Sequence, residues 1–491
     1  MAPTAPYYLF LCLVFLLAGL GAASSARSAV HLPLRQITPA AAPETAGGHP
    51  DSFEQLAQLV TASLLRARRL KDPKGGAGSS SSASPIPFSR VPLFSHSYGG
   101  YAVSLGFGTP PQQIPLVLDT GSEIVWVPCT KSYLCSNCNP SAPDSNATAK
   151  VPVFFPRSSS SARLVGCRNP KCTWIHTPEF LSRCRDCPLN ATAADCSPVC
   201  PPYMLLYGSG STGGLLLSET LRVSPQGAAV SNFVVGCSLF SSKQPAAGIA
   251  GFGRGPASLP SQLGLARFSY CLISRRYDDD AGESGSVVLG GARESSRDDL
   301  ASTPFLKNPA VGSPFSIYYY LGLRKITVDG KKVKIPHAAL MPIPAGDGGT
   351  IIDSGTTFTY MEPNVFEPVA RAIEDAVADR YNRSTAAEKM TGLRPCFSLA
   401  AAAAAATEEV RLPELAFHFK GGAKMRLPMS NYFIIAGNSG AVCLTIVTDA
   451  GAGAGGPSVI LGSFQQQNYY VVYDLEREWL GFRQQSCLEK H

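Results

Sequence analysis

Beyond residue 99, short apolar runs alternate with glycine, proline and polar residues. Runs of this length and punctuation are typical of β-strands joined by turns. Helical periodicity stands out in two segments, residues 52–69 and residues 364–379. The pattern therefore predicts an all-β-dominated fold with few helices.

Two of the apolar runs lead into an aspartate. Residues 116–128 read LVLDTGSEIVWVP and residues 350–360 read TIIDSGTTFTY, so each half of the chain carries one copy, with Asp119 and Asp353 at matching positions. A carboxylate that interrupts a buried strand is costly unless hydrogen bonds satisfy it, and the hydroxyl residues and glycine that follow can supply them. Two such turns facing each other would unite both carboxylates in one network, as acid–base chemistry on water requires.

These motifs resemble those of the pepsin-like aspartic proteases, most closely the plant nepenthesin-type group. The resemblance runs from about residue 100 to residue 487 and includes an apolar-apolar-glycine element in each half, within 248–253 and 458–464. It implies a bilobal fold with the active site between an N-terminal lobe, 96–295, and a C-terminal lobe, 296–491. The residues after the second motif leave no room for the long insertion of phytepsin-type plant enzymes.

The resemblance assigns catalysis to Asp119 and Asp353, which would hold the attacking water between them. Six further motif residues would support the pair: Thr120, Gly121, Ser122, Ser354, Gly355 and Thr356. The first hydroxyl residue of each motif would bind across the lobe interface, and the second would bond the outer oxygen of its own aspartate. The glycines would let backbone N–H groups approach the carboxylates.

Residues 203–213, YMLLYGSGSTG, resemble the flap hairpin that covers substrate. In this resemblance Tyr207 is the flap tyrosine and Trp126 donates to its hydroxyl. A core aromatic at Trp126 and an ordinary hairpin residue at Tyr207 are the alternatives. The stretch 129–200 resembles the cysteine-rich insertion of the nepenthesin-type first lobe.

Of the 15 cysteines, all except Cys12 lie beyond the first 26 residues, which leaves an even number. Close pairs such as Cys135/Cys138 allow a zinc interpretation, but a disulfide framework is favoured in a secreted chain, so we predict no metal. The resemblance implies two disulfides, namely Cys396 with Cys443 and Cys271 with Cys487. Residues 451–456 match G-x-G-x-x-G without a surrounding βα unit, so no cofactor is expected.

The chain begins as a secretory signal would, with an apolar run and then small residues within 1–26. No second hydrophobic span appears, so we expect no membrane anchor. More than half of the net charge of +7 lies in residues 1–95, so the charge does not indicate a nucleic-acid partner. Sequons at Asn146, Asn190 and Asn382 fit a secreted glycoprotein of the apoplast or cell wall, with the vacuole as an alternative.

Residues 27–95 suit a propeptide. The segment 52–69 predicts an amphipathic helix with Ser52 and Gln55 as a capping box, and one face carries Phe53, Leu56, Val60 and Leu64. Basic residues and a Gly/Ser linker follow. Its cations would sit against cleft carboxylates until acid breaks the pairing; a leader without an inhibitory role is the alternative.

The sequence therefore predicts a monomeric, secreted aspartic endopeptidase that acts on polypeptides at acid pH and is inhibited by its own propeptide. The main alternative is a catalytically silent pepsin-like binding protein or inhibitor of microbial glycosidases. Both aspartate motifs are intact, which favours the protease. A cysteine-rich structural protein of the cell wall would leave the paired motifs unexplained.

Overall fold

A computed structural model describes the chain in these ranges: 30–36, 52–71, 88–90, 100–136, 152–176, 199–207, 210–224, 229–242, 248–274, 285–290, 299–308, 315–344, 346–399, 410–436, 439–449 and 455–487. Strands dominate them, which confirms the predicted fold class.

The strands of the first half are β1 (Val30–Gln36), β2 (Phe88–Arg90), β3 (Tyr101–Phe107), β4 (Gln112–Asp119), β5 (Trp126–Pro128), β6 (Leu134–Ser136), β7 (Arg163–Leu164), β8 (Tyr203–Tyr207), β9 (Gly210–Arg222), β10 (Ala229–Ser242), β11 (Ile249–Gly251), β12 (Arg267–Cys271) and β13 (Gly285–Leu289). Its α-helices are α1 (Ser52–Lys71) and the short α2 (Leu259–Gln262).

The strands of the second half are β14 (Ala301–Pro304), β15 (Tyr319–Leu321), β16 (Leu323–Val328), β17 (Lys331–Lys332), β18 (Thr350–Ile352), β19 (Thr359–Met361), β20 (Cys396–Ser398), β21 (Leu415–Phe419), β22 (Lys424–Leu427), β23 (Phe433–Ala436), β24 (Ala441–Leu444), β25 (Ile446–Val447), β26 (Val459–Leu461), β27 (Tyr469–Asp474) and β28 (Trp479–Gln484). Its α-helices are α3 (His337–Leu340), α4 (Pro363–Val377) and α5 (Thr385–Thr391).

Both halves have the same strand arrangement around an aspartate. In the first, β11 runs parallel to β4, Gly251 lies opposite Asp119, and the N–H of Phe252 donates to the Asp119 carbonyl at 2.7 Å. In the second, β26 runs parallel to β18, and the N–H of Asp353 donates to the Leu461 carbonyl at 3.0 Å. Each aspartate therefore leaves its strand at a point that a parallel neighbour fixes.

A shared sheet joins the halves. Strand β12 of the first half pairs antiparallel with β27 of the second, and β28 and β14 continue the sheet. On the other side β13 pairs with β1, with Val30 opposite Leu289. This early strand was not predicted, because the sequence interpretation placed the first strand at residue 101.

Helix α1 packs its apolar face on the second half. Leu56, Val60 and Leu70 are buried in a cluster that includes Tyr320 and Phe358. The predicted face is thus the packed one, with Phe53 and Leu64 partly buried at its edge. The side chains of the proposed capping box, Ser52 and Gln55, lie outside the described residues. The helix extends to Lys71, so the basic residues up to Lys71 belong to it, whereas Lys74 lies outside the described residues.

Four disulfides connect described cysteines: Cys129–Cys237, Cys172–Cys200, Cys271–Cys487 and Cys396–Cys443. The last two are the pairs that the family resemblance implies. Cys135 and Cys167 are also disulfide-bonded. The Cys271–Cys487 bridge spans a sequence separation of 216 and fastens the end of the described chain to β12. Among the described helices, none has the length and apolarity needed to cross a membrane.

Candidate active site

The two motif aspartates are fully buried, and each carboxylate is held by its own turn. The N–H of Gly121 donates to Oδ1 of Asp119 at 3.0 Å, and the N–H of Gly355 donates to Oδ1 of Asp353 at 2.9 Å. The glycines thus occupy the positions that the resemblance implies. Backbone donors of this kind help to offset the cost of burying a carboxylate.

Each glycine also admits the carboxylate of the opposite motif. A Cβ on Gly355 would lie 2.2 Å from Oδ1 of Asp119, and a Cβ on Gly121 would lie 2.6 Å from Oδ1 of Asp353. Real Cβ atoms do not approach oxygen so closely, so both positions require glycine. The two turns therefore face each other directly, and the carboxylates share one space.

The first hydroxyl residues of the motifs cross-link the halves. The N–H of Thr120 donates to Oγ of Ser354 at 3.1 Å, and the N–H of Ser354 donates to Oγ1 of Thr120 at 2.9 Å. Oγ of Ser354 in turn donates to the Leu118 carbonyl at 3.0 Å. These reciprocal bonds, all buried, fix the spacing of the aspartates beneath the cleft.

The second hydroxyl residues differ in their contacts. Oγ1 of Thr356 donates to Oδ2 of Asp353 at 2.6 Å, as the resemblance implies. Oγ of Ser122 donates to the main-chain oxygen of Asp119 at 3.4 Å, and the same side chain also acts to lower the pKa of the Asp119 carboxyl group. Oδ2 of Asp119 has no hydrogen-bond partner among the described residues. The local turns are equivalent in sequence but not in their hydrogen bonds.

A cation from α1 occupies the space between the carboxylates. Nη2 of Arg66 lies 2.7 Å from Oδ1 of Asp119, and its Nε lies 2.7 Å from Oδ2 of Asp353 and 3.0 Å from Oγ1 of Thr356. The side chains of Arg66 and both aspartates are completely inaccessible. While α1 is docked, Arg66 fills the space between the two carboxylates.

The surroundings shift the pKa values of the two carboxyl groups in opposite directions. Burial raises the pKa of Asp119 to about 7, with the neighbouring Asp353 adding to the effect and Arg66 opposing it. Burial also acts to raise the pKa of Asp353, but the charge of Arg66 and hydrogen bonds from Arg66, Thr356 and Gly355 lower it below its usual value. Burial alone would lower the pKa of Arg66, but the two aspartates raise it well above its usual value. The docked surroundings thus raise the pKa of Asp119 and lower that of Asp353.

Trp126 and Tyr207 are the two residues that the resemblance assigns to the flap and its support. Trp126 is fully buried in a cluster with Tyr203 and Leu205 of β8, and its indole nitrogen has no hydrogen-bond partner among the described residues. The side chain of Tyr207 lies outside the described residues, so the predicted bond between Tyr207 and Trp126 stays a prediction. The backbone places Tyr207 at the end of β8, opposite Gly210 of β9.

The other predicted positions lie away from the aspartates. Asn382 is exposed, as a glycan would require, whereas Asn146 and Asn190 lie outside the described residues. Cys172, His176 and Cys200 form a cluster with metal-ligand spacing in the described part of the chain. The sulfur atoms of its two cysteines are joined in a disulfide, so the thiolates that zinc would need are not available there.

Sequence reasoning missed three acidic residues that the structure makes conspicuous. Glu123 directly follows the first motif, and burial raises its pKa to about 7, although the N–H of Ala257 opposes the shift. Glu362 and Asp449 bind cations of α1. Position after the motif was a usable signal for Glu123, whereas nothing local distinguishes Glu362 or Asp449 from other acids.

Two protein-domain families and several individual plant proteins match this chain. The xylanase inhibitor N-terminal domain family matches residues 101–291, and the xylanase inhibitor C-terminal domain family matches residues 318–484. A probable aspartyl protease of Arabidopsis thaliana is 31% identical over 428 residues, which cover 79% of this chain and 82% of the relative. Aspartic proteinase nepenthesin-2 of Nepenthes gracilis is 30% identical over 393 residues, which cover 79% of this chain and 78% of the relative.

A solved structure resembles the fold. Basic 7S globulin from soybean superposes with a TM-score of 0.58 at 18% sequence identity, covering 94% of this chain and 97% of that one. At this identity the likeness concerns the fold alone. It agrees with the strand-dominated fold of this chain.

Proposed function

Because the chain belongs to the pepsin-like aspartic protease family, of the plant nepenthesin type, we propose that it is a secreted aspartic endopeptidase. It hydrolyses peptide bonds at acid pH with a water molecule held between Asp119 and Asp353. The observation that carries the proposal is the meeting of both complete motifs in one buried network, with each carboxylate bonded by its own glycine N–H.

The chemistry follows from two carboxyl groups that share one proton. The ionised group takes a proton from water, whose oxygen attacks the peptide carbonyl carbon, while the protonated group donates to the carbonyl oxygen. Collapse of the tetrahedral intermediate breaks the C–N bond; the group that took the proton from water gives it to the leaving amine, and the other group recovers its proton from a hydroxyl of the intermediate. The pair titrates as a unit, so acid and base describe its microstates.

Helix α1 supports the further proposal that the full chain is a zymogen. Its Arg66 bonds both aspartates, so water and substrate have no access to them while the helix stays docked. Activation then consists of release of α1 in acid and cleavage of the linker, with the mature chain beginning between residues 84 and 99. Residues 1–26 act as the secretory signal, and the cysteine pairs fit an oxidising compartment.

A binding protein or glycosidase inhibitor is the competing function, because the matched domain families carry the name of xylanase inhibitors. Two features favour catalysis. Both aspartates are present, and the Thr120–Ser354 bonds that fix their spacing are formed. A chain that only binds a partner would have no need of a carboxylate pair built in this way.

The test is cleavage of a peptide library at acid pH by purified, acid-activated protein. Asp119→Asn, purified in parallel, is the matched control because it preserves volume and removes one ionisable group. We expect cleavage by the natural protein and none by the variant. Binding of a microbial glycosidase without any peptide cleavage would favour the competing function.

A further inference from the structure

The last turn of α1 makes two more ion pairs with the second half. Nε of Arg68 lies 2.7 Å from Oδ2 of Asp449, and the ammonium of Lys71 contacts Oε1 of Glu362. The partners differ in exposure: the side chain of Asp449 is 2% exposed, whereas that of Arg68 is 55% exposed. The carboxylate of Asp449 is therefore built into the second half, while the guanidinium reaches it from outside.

Tyr360 lies beside both ion pairs. Its hydroxyl donates to Oδ1 of Asp449 at 2.9 Å, and its ring centroid lies 5.7 Å from Nζ of Lys71. Oγ of Ser458 donates to Oε2 of Glu362 at 2.7 Å. The second half thus orients both carboxylates with its own hydroxyls, independently of α1, and an aromatic face beside a cation adds attraction.

We propose that Tyr360, Glu362 and Asp449 form a subsite for a lysine or arginine side chain of a polypeptide substrate; this rests on the proposed proteolysis and on departure of α1. The three residues are called the cation subsite below. Once α1 leaves, the carboxylates of Glu362 and Asp449 lose their counter-charges but keep their positions. An arginine and a lysine already occupy the cation subsite in the full chain, which identifies the chemistry of the occupant.

The spacing along α1 sets where the basic residue would lie. Lys71 follows Arg66 by five positions, which corresponds to about 7.5 Å along a helix axis. An extended peptide covers that distance in about two residues. With the reach of a long side chain added, the basic residue belongs roughly two to four residues from the cleaved bond.

The experiment compares paired peptides on enzyme activated from the full chain. The two members are identical except for lysine or glutamine, placed in turn at each of the four positions on either side of the cleaved bond. The readout is the ratio of kcat/KM for the lysine and glutamine members, which does not depend on the amount of folded enzyme. We expect a ratio of about ten or more at one position, since hydrogen bonds to charged groups are among the stronger ones.

Two isosteric variants then assign the preference. Asp449→Asn and Glu362→Gln should each reduce that ratio at least threefold, and the double variant should bring it near one. Glu367→Gln is the matched control, because Glu367 pairs with Arg394 on the surface. That control should keep the ratio of the natural protein.

The outcomes separate the two proposals. Equal cleavage of both members at every position would overturn the cation subsite while leaving the protease intact. A lysine preference that survives in the double variant would also overturn it, and would mean that Glu362 and Asp449 serve only to anchor α1. Failure to cleave either member would overturn the proposed function and the cation subsite with it.

Discussion

The two aspartate turns are alike in backbone and unlike in charge. Both leave a strand that a parallel neighbour fixes, and both receive a glycine N–H on Oδ1. Yet Oδ2 of Asp353 accepts bonds from Thr356 and Arg66, whereas Oδ2 of Asp119 has no partner among the described residues. A repeated motif thus produces a symmetric scaffold, and a few hydroxyl and cation contacts make its two carboxyl groups different.

The largest expected effect comes from removing either carboxylate. Asp119→Asn and Asp353→Asn should each lower kcat/KM by about 10³-fold or more, because an amide can neither accept nor supply the proton that the mechanism moves. Peptide cleavage by activated protein measures this, with circular dichroism to show that the fold persists. Activity within tenfold of the natural protein in either variant would contradict the two-carboxylate mechanism.

The next largest effect is expected from removing Arg66, which bridges the two aspartate turns. Arg66→Met should weaken docking of α1 by about 3 kcal/mol, since it removes the charge shared by two buried carboxylates. The full-length variant should then cleave peptide at mildly acid pH without a lag, and α1 amides should lose exchange protection.

Arg68→Met is the matched control for that substitution, because Arg68 belongs to the same helix but is more than half exposed. Only one partner of the Arg68–Asp449 pair is exposed, so its removal should weaken docking less than removal of the fully buried Arg66. If both variants lost protection equally, Arg66 would have no special part in latency.

A smaller effect sharpens the difference between the second hydroxyl residues. Thr356→Val removes a donor to the carboxylate of Asp353 and should lower kcat/KM about 10- to 100-fold, as expected for a bond to a charged group. Ser122→Ala should cost about threefold or less, because the hydrogen bond from Oγ of Ser122 to the main-chain oxygen of Asp119 is long, at 3.4 Å, whereas that of Thr356 to its carboxylate is 2.6 Å. Steady-state kinetics on activated protein would show the contrast; equal losses would mean that the turns become equivalent once α1 departs.

The smallest effect is the pH dependence of docking, at up to about tenfold per pH unit and carboxyl group. The lowered pKa of Asp353 stabilises docking above its ordinary value of 3.8, and this stability is lost as the pH falls through the lowered value. The charge of Arg66 also acts to lower the pKa of Asp119, so docking favours the ionised form of that carboxyl group as well. Amide exchange of α1, corrected for intrinsic rates, should therefore show protection that falls as the pH is lowered.

Asp119→Asn tests the part of Asp119 in that pH dependence. The amide mimics the protonated carboxyl group, so protection of α1 should be weaker at neutral pH and should fall less as the pH is lowered. A profile unchanged from the natural protein would mean that the charge of Asp119 does not contribute to docking.

The sequence predicted the parts of this site that repeat. The paired strands that end in Asp119 and Asp353 carry a local signal, as do the hydroxyl residues and glycines that follow, and the strand-rich fold follows from the apolar pattern. The amphipathic face of α1 was likewise readable from residues such as Leu56 and Val60. Such features depend on neighbours in the chain.

Other features depend on residues that are far apart in the chain, and the local sequence does not indicate them. Pairing of β1 with β13 joins residues about 250 positions apart, and no periodicity in the sequence indicates this pairing. The bond from Ser122 to a main-chain oxygen is a matter of rotamer, which the presence of a hydroxyl residue at that motif position does not specify. Glu362 and Asp449 became candidates only when α1 was seen to place cations on them.

The most direct test of the two-carboxylate account is a pH profile of kcat/KM for activated protein, with pepstatin titrated at the optimum. Two carboxylates about 4 Å apart repel by about 4 kcal/mol at an effective dielectric constant near 20, which separates their apparent pKa values by roughly three units. Only the singly protonated pair acts as acid and base together, so we predict a bell-shaped profile in acid and stoichiometric inhibition by pepstatin. An optimum above pH 7, or insensitivity to pepstatin with both aspartates intact, would contradict the account.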